Sequence, residues 1–282
     1  MIQFIERKLM KKYLNGNFIL LIAPTIIFCS AFFILPMIKL IMTTGSGEKG
    51  WYAYIDIMLS QRNIESLVAT ISLSVAVTIV ALIISTIVGL FLEKHDFIGK
   101  KVLTSILVFP LAFPGVVIGF MVIMLAGQQG FIGLITKFAL GEKIVFAYSI
   151  FGLFLGYLYF SIPRVILTII STAEKMDPSL EEAAKSLGAS PWKIIWDVIL
   201  PSLKPGLIAS GAICFATSMG AFGTAFTLAT NIDVLAMTIY TEFTLDANII
   251  GASVLSIVLG FITWIVLYIS RSLSGTNVAM GG

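Results

Sequence analysis

Six long apolar stretches, divided by short segments that hold most of the charge, run through the 282-residue chain at 18–42, 67–92, 102–125, 148–170, 207–228 and 249–269. Each is long enough for a helix rising 1.5 Å per residue to cross about 30 Å of hydrocarbon. The stretches are read as helices because a backbone facing lipid must satisfy its own hydrogen bonds, and they are too long for tilted barrel strands. Pro110 and Pro114 predict a kink in the third, and Pro163 another in the fourth. No repeat with a period of about 20–50 residues and no low-complexity linker divides the pattern, so residues 1–282 read as a single transmembrane domain. The expected fold class is an all-α membrane protein with six transmembrane helices.

Composition agrees with a bilayer. Hydrophobic residues make up 58% and charged residues 12% of the chain, with a mean hydropathy of +1.03; a soluble surface needs roughly twice that charge. The net charge of +3 carries no sign of nucleic-acid binding, because the bases sit in particular loops. With the N-terminus inside, the inner segments hold Arg7, Lys8, Lys11, Lys12, Lys94, Lys100, Lys101, Lys175, Lys185, Lys193, Lys204 and Arg271, 12 of the 18 bases. Four lie outside (Lys49, Arg62, Lys137, Lys143), so both termini are expected to be cytoplasmic. Lys39 and Arg164, near span ends, can snorkel. The first stretch is too long for a cleaved signal and reads as a retained span. Segments 131–140 and 234–243 read equally as short interfacial helices or as loops packed on the spans.

Catalytic chemistry is missing. Gly45 to Gly50 has glycines and a lysine without phosphate-loop spacing, and neither HExxH nor GxSxG occurs. His95, between Lys94 and Asp96, reads as a solvated turn, and Cys29 and Cys214 fall in apolar runs where a thiol behaves as a small hydrophobe. No catalytic residue, metal or cofactor is expected. All fifteen acidic residues lie outside the six stretches, whereas ion-coupled carriers usually bury a carboxylate for the driving ion. That counts against the competing reading, a secondary transporter or channel, and implies energy from outside the chain.

The inner segment 171–204 is the most specific. Asp177 and Pro178 predict a helix start, with Ser179 and Glu182 as an alternative capping box. Gly188 suits the left-handed residue after its end. Ser190 and Pro191 predict a second helix that stops near Pro201. Leu180, Ala183, Ala184 and Leu187 form a small apolar face, fit either for docking into a partner or for packing on the protein's own spans.

The run Glu182-Ala183-Ala184, three residues, Gly188, nine residues, then Val198-Ile199-Leu200-Pro201 resembles the EAA signature of permease subunits in binding-protein-dependent type I ABC importers, with Val198 where Ile is usual. Six spans with both termini inside match that permease fold, so the resemblance covers nearly the whole chain. It implies that Leu180, Glu182, Ala183, Ala184, Leu187 and Gly188 belong to a coupling helix seated on an ATPase. The implied partners are two ABC ATPase subunits that bind the ATP and magnesium, a second permease, the same chain or another, and an extracytoplasmic solute-binding protein. The implied location is the bacterial cytoplasmic membrane, as a multi-pass protein in lipid.

The stretch Ser218-Met219-Gly220-Ala221-Phe222-Gly223-Thr224 reads either as lining of a translocation path or as helix packing. Gly115 with Gly119 and Gly152 with Gly156 form small-xxx-small pairs, read chiefly as packing within one subunit. With 237–243, the path stretch resembles permeases for polyamines, ferric iron and aminoalkylphosphonates. Sulfate and molybdate permeases tend to hold Glu where Ala221 stands, which makes those substrates the less expected ones. Outer loops carry Glu48, Asp56, Glu65, Glu142, Asp233, Glu242 and Asp246 against four bases, a weak lean towards cationic or zwitterionic solutes.

Overall fold

The computed structural model describes residues 22–47, 50–228 and 232–274, and among them every regular element is helical. The bases Arg7, Lys8, Lys11, Lys12 and Lys49, and the start of the first apolar stretch, lie outside the described residues. Helix α1 is Ile22–Gly45. After it come α2 (Ala53–Met58) and α3 (Gln61–Lys94), then α4 (Lys100–Val108), α5 (Gly115–Ala126), α6 (Phe131–Leu140) and α7 (Ile150–Ala173). The chain closes with α8 (Pro178–Ser186), α9 (Pro191–Met219), α10 (Phe222–Leu228), α11 (Leu235–Tyr240) and α12 (Ile249–Leu273).

The bundle is built on small residues. Along α3 the buried positions include Ser66, Thr70, Ser74, Val77, Ala81, Ser85 and Gly89, while Val68, Ile79, Ile83 and Ile87 point outward. In lipid, tails are as apolar as isoleucine, so helices gain by close backbone approach and interhelical hydrogen bonds rather than by hiding large side chains. A Cβ on Gly89 would stand 2.9 Å from Ile169 Cγ2 of α7, and Ser85 Oγ donates to the Ile162 carbonyl of α7 at 3.1 Å. Helix α9 joins both: a Cβ on Gly206 would meet Thr172 Oγ1 at 2.4 Å. Ser270 Oγ of α12 reaches the Ile208 carbonyl at 3.0 Å. Helix α1 lies against α12 with none of its apolar stretch buried in the chain.

Several expected boundaries move. The third stretch is broken rather than kinked: α4 ends at Val108, a 3-10 turn covers Phe109–Ala112, and Phe113 is extended (φ −94°, ψ 134°) before α5 begins. Pro110 and Pro114 each lack an N–H, and a residue before proline is pushed out of helical geometry. Residues 131–140 are a helix, with Phe131, Leu134 and Phe138 exposed. Residues 234–243 become α11 followed by a π-helical turn, Thr241–Leu245. The second helix of the inner segment does not stop at Pro201. A π-helical turn, Ile195–Ile199, in which the Leu200 N–H bonds the Ile195 carbonyl, carries it through, and α9 continues past Pro205 to Met219. The helix that carries the fifth apolar stretch therefore starts at Pro191 and breaks at Gly220. Glu65, Glu93 and Asp197 consequently fall inside long helices, though near their ends. Helix α7 passes through Pro163 without interruption.

Candidate functional site: a capped helix at the end of the bundle

Helix α8 owes its form to its two ends. The Asp177 carboxylate accepts from the Ser179 N–H at 2.9 Å, which selects Asp177 rather than Ser179 as the cap. That backbone N–H, with the Ser179 hydroxyl, holds the Asp177 carboxyl below the usual range. At the other end Gly188 has φ +78°, its N–H bonds the Lys185 carbonyl at 2.9 Å, and the Ala189 N–H bonds the Ala184 carbonyl at 3.1 Å. This is the paired-bond arrangement in which a left-handed glycine seals a helix. Ser190 then accepts from the Lys193 N–H at 3.4 Å to open α9.

No residue of α8 is buried. Leu180 is 50% and Leu187 88% exposed, and Glu182, Ala183 and Gly188 are exposed with them. Ala184 alone of the apolar set turns inward, against a small core of Ala173, Ile194, Ile199 and Leu203. The apolar face is thus left open by the chain's own packing. On the inward side Lys94, the last residue of α3, forms an ion pair with Glu181. Sequence reading missed this contact, since nothing local joins residues 87 apart. His95 is exposed, its ring stacked on Phe91.

The candidate path stretch is divided. Ser218, Met219 and Thr224 are buried, whereas Gly220 and Phe222 are exposed, with Ala221 and Gly223 between. Thr224 Oγ1 donates to the Gly115 carbonyl at 3.1 Å, and a Cβ on Gly119 would meet Thr227 Oγ1 at 2.0 Å, so this glycine pair packs α5 on α10 of the same chain. Gly156 likewise faces Thr224, while Gly152 lies against the Ala147 carbonyl. Tyr157 Oη donates to the Ala221 carbonyl at 3.0 Å. Phe222, Phe226 and Tyr240 cluster with centroids 5.3–5.6 Å apart. The i, i+4 spacing of the two phenylalanines signalled part of that group.

Within α7, Tyr157, Ser161, Arg164 and Thr168 share one helical face. Arg164 Nη1 and Ser161 Oγ are buried without a hydrogen-bond partner, as is Ser218 Oγ on α9. Buried polar groups without a protein partner are uncommon and call for an explanation. Among the described residues no group of histidine, cysteine and carboxylate side chains has the arrangement to hold a metal.

A chain with six helices long and apolar enough to cross a membrane, and an open capped helix beside them, has the build of a transporter's membrane subunit. Residues 85–275 match the family described as "Binding-protein-dependent transport system inner membrane component". The chain belongs to that family: it is a multi-pass inner-membrane permease of ABC importers, whose ATPase is a separate subunit. It is 35% identical over 164 residues to the molybdenum transport system permease protein of Escherichia coli K12, covering 57% of this chain and 71% of that one. To the chloroplast sulfate permease 2 of Chlamydomonas reinhardtii it is 32% identical over 181 residues, 62% of this chain and 48% of that one, so it spans about half of that relative. The fold is shared with a bacterial alginate ABC transporter solved with its pentasaccharide-bound periplasmic protein, at a TM-score of 0.78 and 17% identity over 96% of this chain and 98% of that one. Molybdenum and sulfate permeases are relatives that the reading of Ala221 had made the less expected. That alanine sits in the turn between α9 and α10, where its carbonyl serves Tyr157.

Proposed function

We propose that the chain, acting as one domain, forms half of the translocation pore of an importer, with α8 as the helix that takes up the stroke of an ATPase. The observation that carries this is the open face of α8: Leu180, Ala183 and Leu187 are exposed on a helix that its own caps hold rigid, within a run that matches the EAA signature. A short helix fixed at both ends moves as a unit, so closure of two ATPases rocks two permeases between inward-open and outward-open states. In this reading α8 and both termini are cytoplasmic, and an extracytoplasmic binding protein delivers solute at the opposite end. The second permease is a copy of this chain or a different one.

For the solute, two features favour a small oxyanion over the polyamine, ferric iron and aminoalkylphosphonate first expected. Relatives include molybdenum and sulfate permeases, and Arg164 holds a buried guanidinium nitrogen with no protein partner on the same face as Tyr157 and Ser161. A charge inside a span is costly and is usually retained for a pathway or ligand. Residues 218–224 would line the adjoining path. The acidic excess of the outer loops supports the cationic alternative.

The test is ATP-driven uptake by the reconstituted complex with Ala183→Trp. Uptake should vanish while the permease still inserts and the ATPase no longer copurifies; ATP-dependent transport at the unaltered rate would refute the role of α8. Calorimetry on the binding protein with molybdate, sulfate, spermidine, ferric iron and aminoethylphosphonate decides the solute.

A further inference from the structure

Lys94 is the last residue of α3. At this end of the helix its ammonium pairs with Glu181, the residue before the EAA run. Their side chains are 30% and 19% exposed, so the pair is half shielded, in a notch floored by Leu90 and Met176. Among the described residues this is the one side-chain hydrogen bond or ion pair between α8 and the bundle outside the segment that α8 itself belongs to. By chain connection and packing α8 is already joined to α7 and α9; Lys94 adds α3.

The far end of α3 is bonded as well. Thr70 Oγ1 accepts from the Leu235 N–H at 2.7 Å, and Ser66 Oγ shares a 2.8 Å hydrogen bond with Thr238 Oγ1, both buried. These fix α11 and, through it, the π-helical turn Thr241–Leu245. The helix that carries both attachments, α3, is unbroken over its 34 residues and holds no proline, about 50 Å long. A helix of that kind transmits displacement along its axis rather than absorbing it at a kink.

We propose that the Lys94–Glu181 pair is a strut that makes α3 move with α8, so that a stroke received at α8 reaches α11 and the Thr241–Leu245 turn at the opposite end. Lys94 is therefore a positioning residue. It sets how much of the motion of α8 the outer end receives. The inference rests on α8 being the coupling helix.

The experiment uses the full complex with its ATPase and binding protein in proteoliposomes, recording uptake per ATP hydrolysed. Lys94→Glu, which places two carboxylates together, should lower that ratio about fivefold, with Lys94→Ala between it and the unaltered protein. ATP hydrolysis should persist in both Lys94 variants. The exchange Lys94→Glu with Glu181→Lys should restore the ratio to within about twofold. A cysteine at Phe243, in a chain with Cys29→Ala and Cys214→Ala, should show an ATP-dependent change in thiol labelling that Lys94→Glu removes and the exchange returns. The strut is refuted if Lys94→Glu transports as the unaltered complex does, if the exchange is no better than Lys94→Glu alone, or if Lys94→Glu leaves the ATP-dependent labelling at position 243 intact, as a merely local structural role would. Loss of uptake with Ala183→Trp tests the coupling reading separately: if that loss occurs and Lys94→Glu has no effect, only the strut falls.

Discussion

Gly89 on α3 and Ala183 on α8 are both small residues at helical spacing, yet Gly89 lies against Ile169 while Ala183 faces open space. The difference separates two regions. In the bundle of α3, α7, α9 and α5 with α10, small residues exist to bring backbones together, and the hydrogen bonds between helices come from serine and threonine. On α8 itself no residue is buried, and the helix is held by Asp177 at one end and Gly188 at the other. Small residues in a packed bundle are structural; small residues on a helix that its caps make self-sufficient are left free for another molecule.

The comparison can be broken most directly at Ala183 and Gly188. Ala183→Trp should abolish ATP-driven uptake, yet shift unfolding of the detergent-solubilised permease by no more than about 0.5 kcal/mol, as for any exposed position. Gly188→Asp, which forces a side chain into φ +78°, should likewise abolish uptake without preventing membrane insertion. The opposite pattern is expected at Gly119→Leu, where the added side chain meets Thr227. It should destabilise the permease by about 1–3 kcal/mol, read as a lower thermal midpoint, with uptake falling only as folded protein does. A subtler variant within the bundle is Arg164→Gln. It should cut uptake of a small oxyanion about tenfold, the scale of a lost hydrogen bond to charge, with ATP hydrolysis unchanged; unaltered uptake would remove Arg164 from the path.

The smallest effect concerns the cap of α8. Because the folded-state pKa of Asp177 is lowered by the Ser179 N–H, the cap's contribution is complete above the ordinary carboxylate value and is lost as pH falls through the lowered one. Amide-exchange protection at Ser179 should thus hold from neutral pH down to about pH 5 and disappear only in stronger acid. Asp177→Asn should keep the protection without the pH dependence.

Much of this organisation was legible in the sequence. The six apolar stretches, the caps at Asp177, Gly188 and Ser190, and the EAA run are local patterns, set by residues a few positions apart. What went astray has physical causes. Proline was read as a kink at Pro110 and Pro114 and as a stop at Pro201. Two prolines four apart, with Phe113 forced extended between them, break the third stretch. The π-helical turn before Pro201 instead lets α9 absorb its proline. The Lys94–Glu181 pair and the α5–α10 contact join residues remote in the chain and follow only from the packed bundle. Ala221 pointed away from sulfate and molybdenum permeases, yet such permeases are among the relatives; the residue lies in a turn where its carbonyl serves Tyr157.

One measurement bears on the central claim more than any other: crosslinking from a cysteine at Ala183, with Cys29 and Cys214 replaced by alanine, in the assembled complex. The account expects a short bifunctional reagent to join that cysteine to the ATPase subunit in high yield, with the yield changing on ATP binding. Crosslinks to the protein's own spans, or labelling only by impermeant reagent from the outer face, would contradict it.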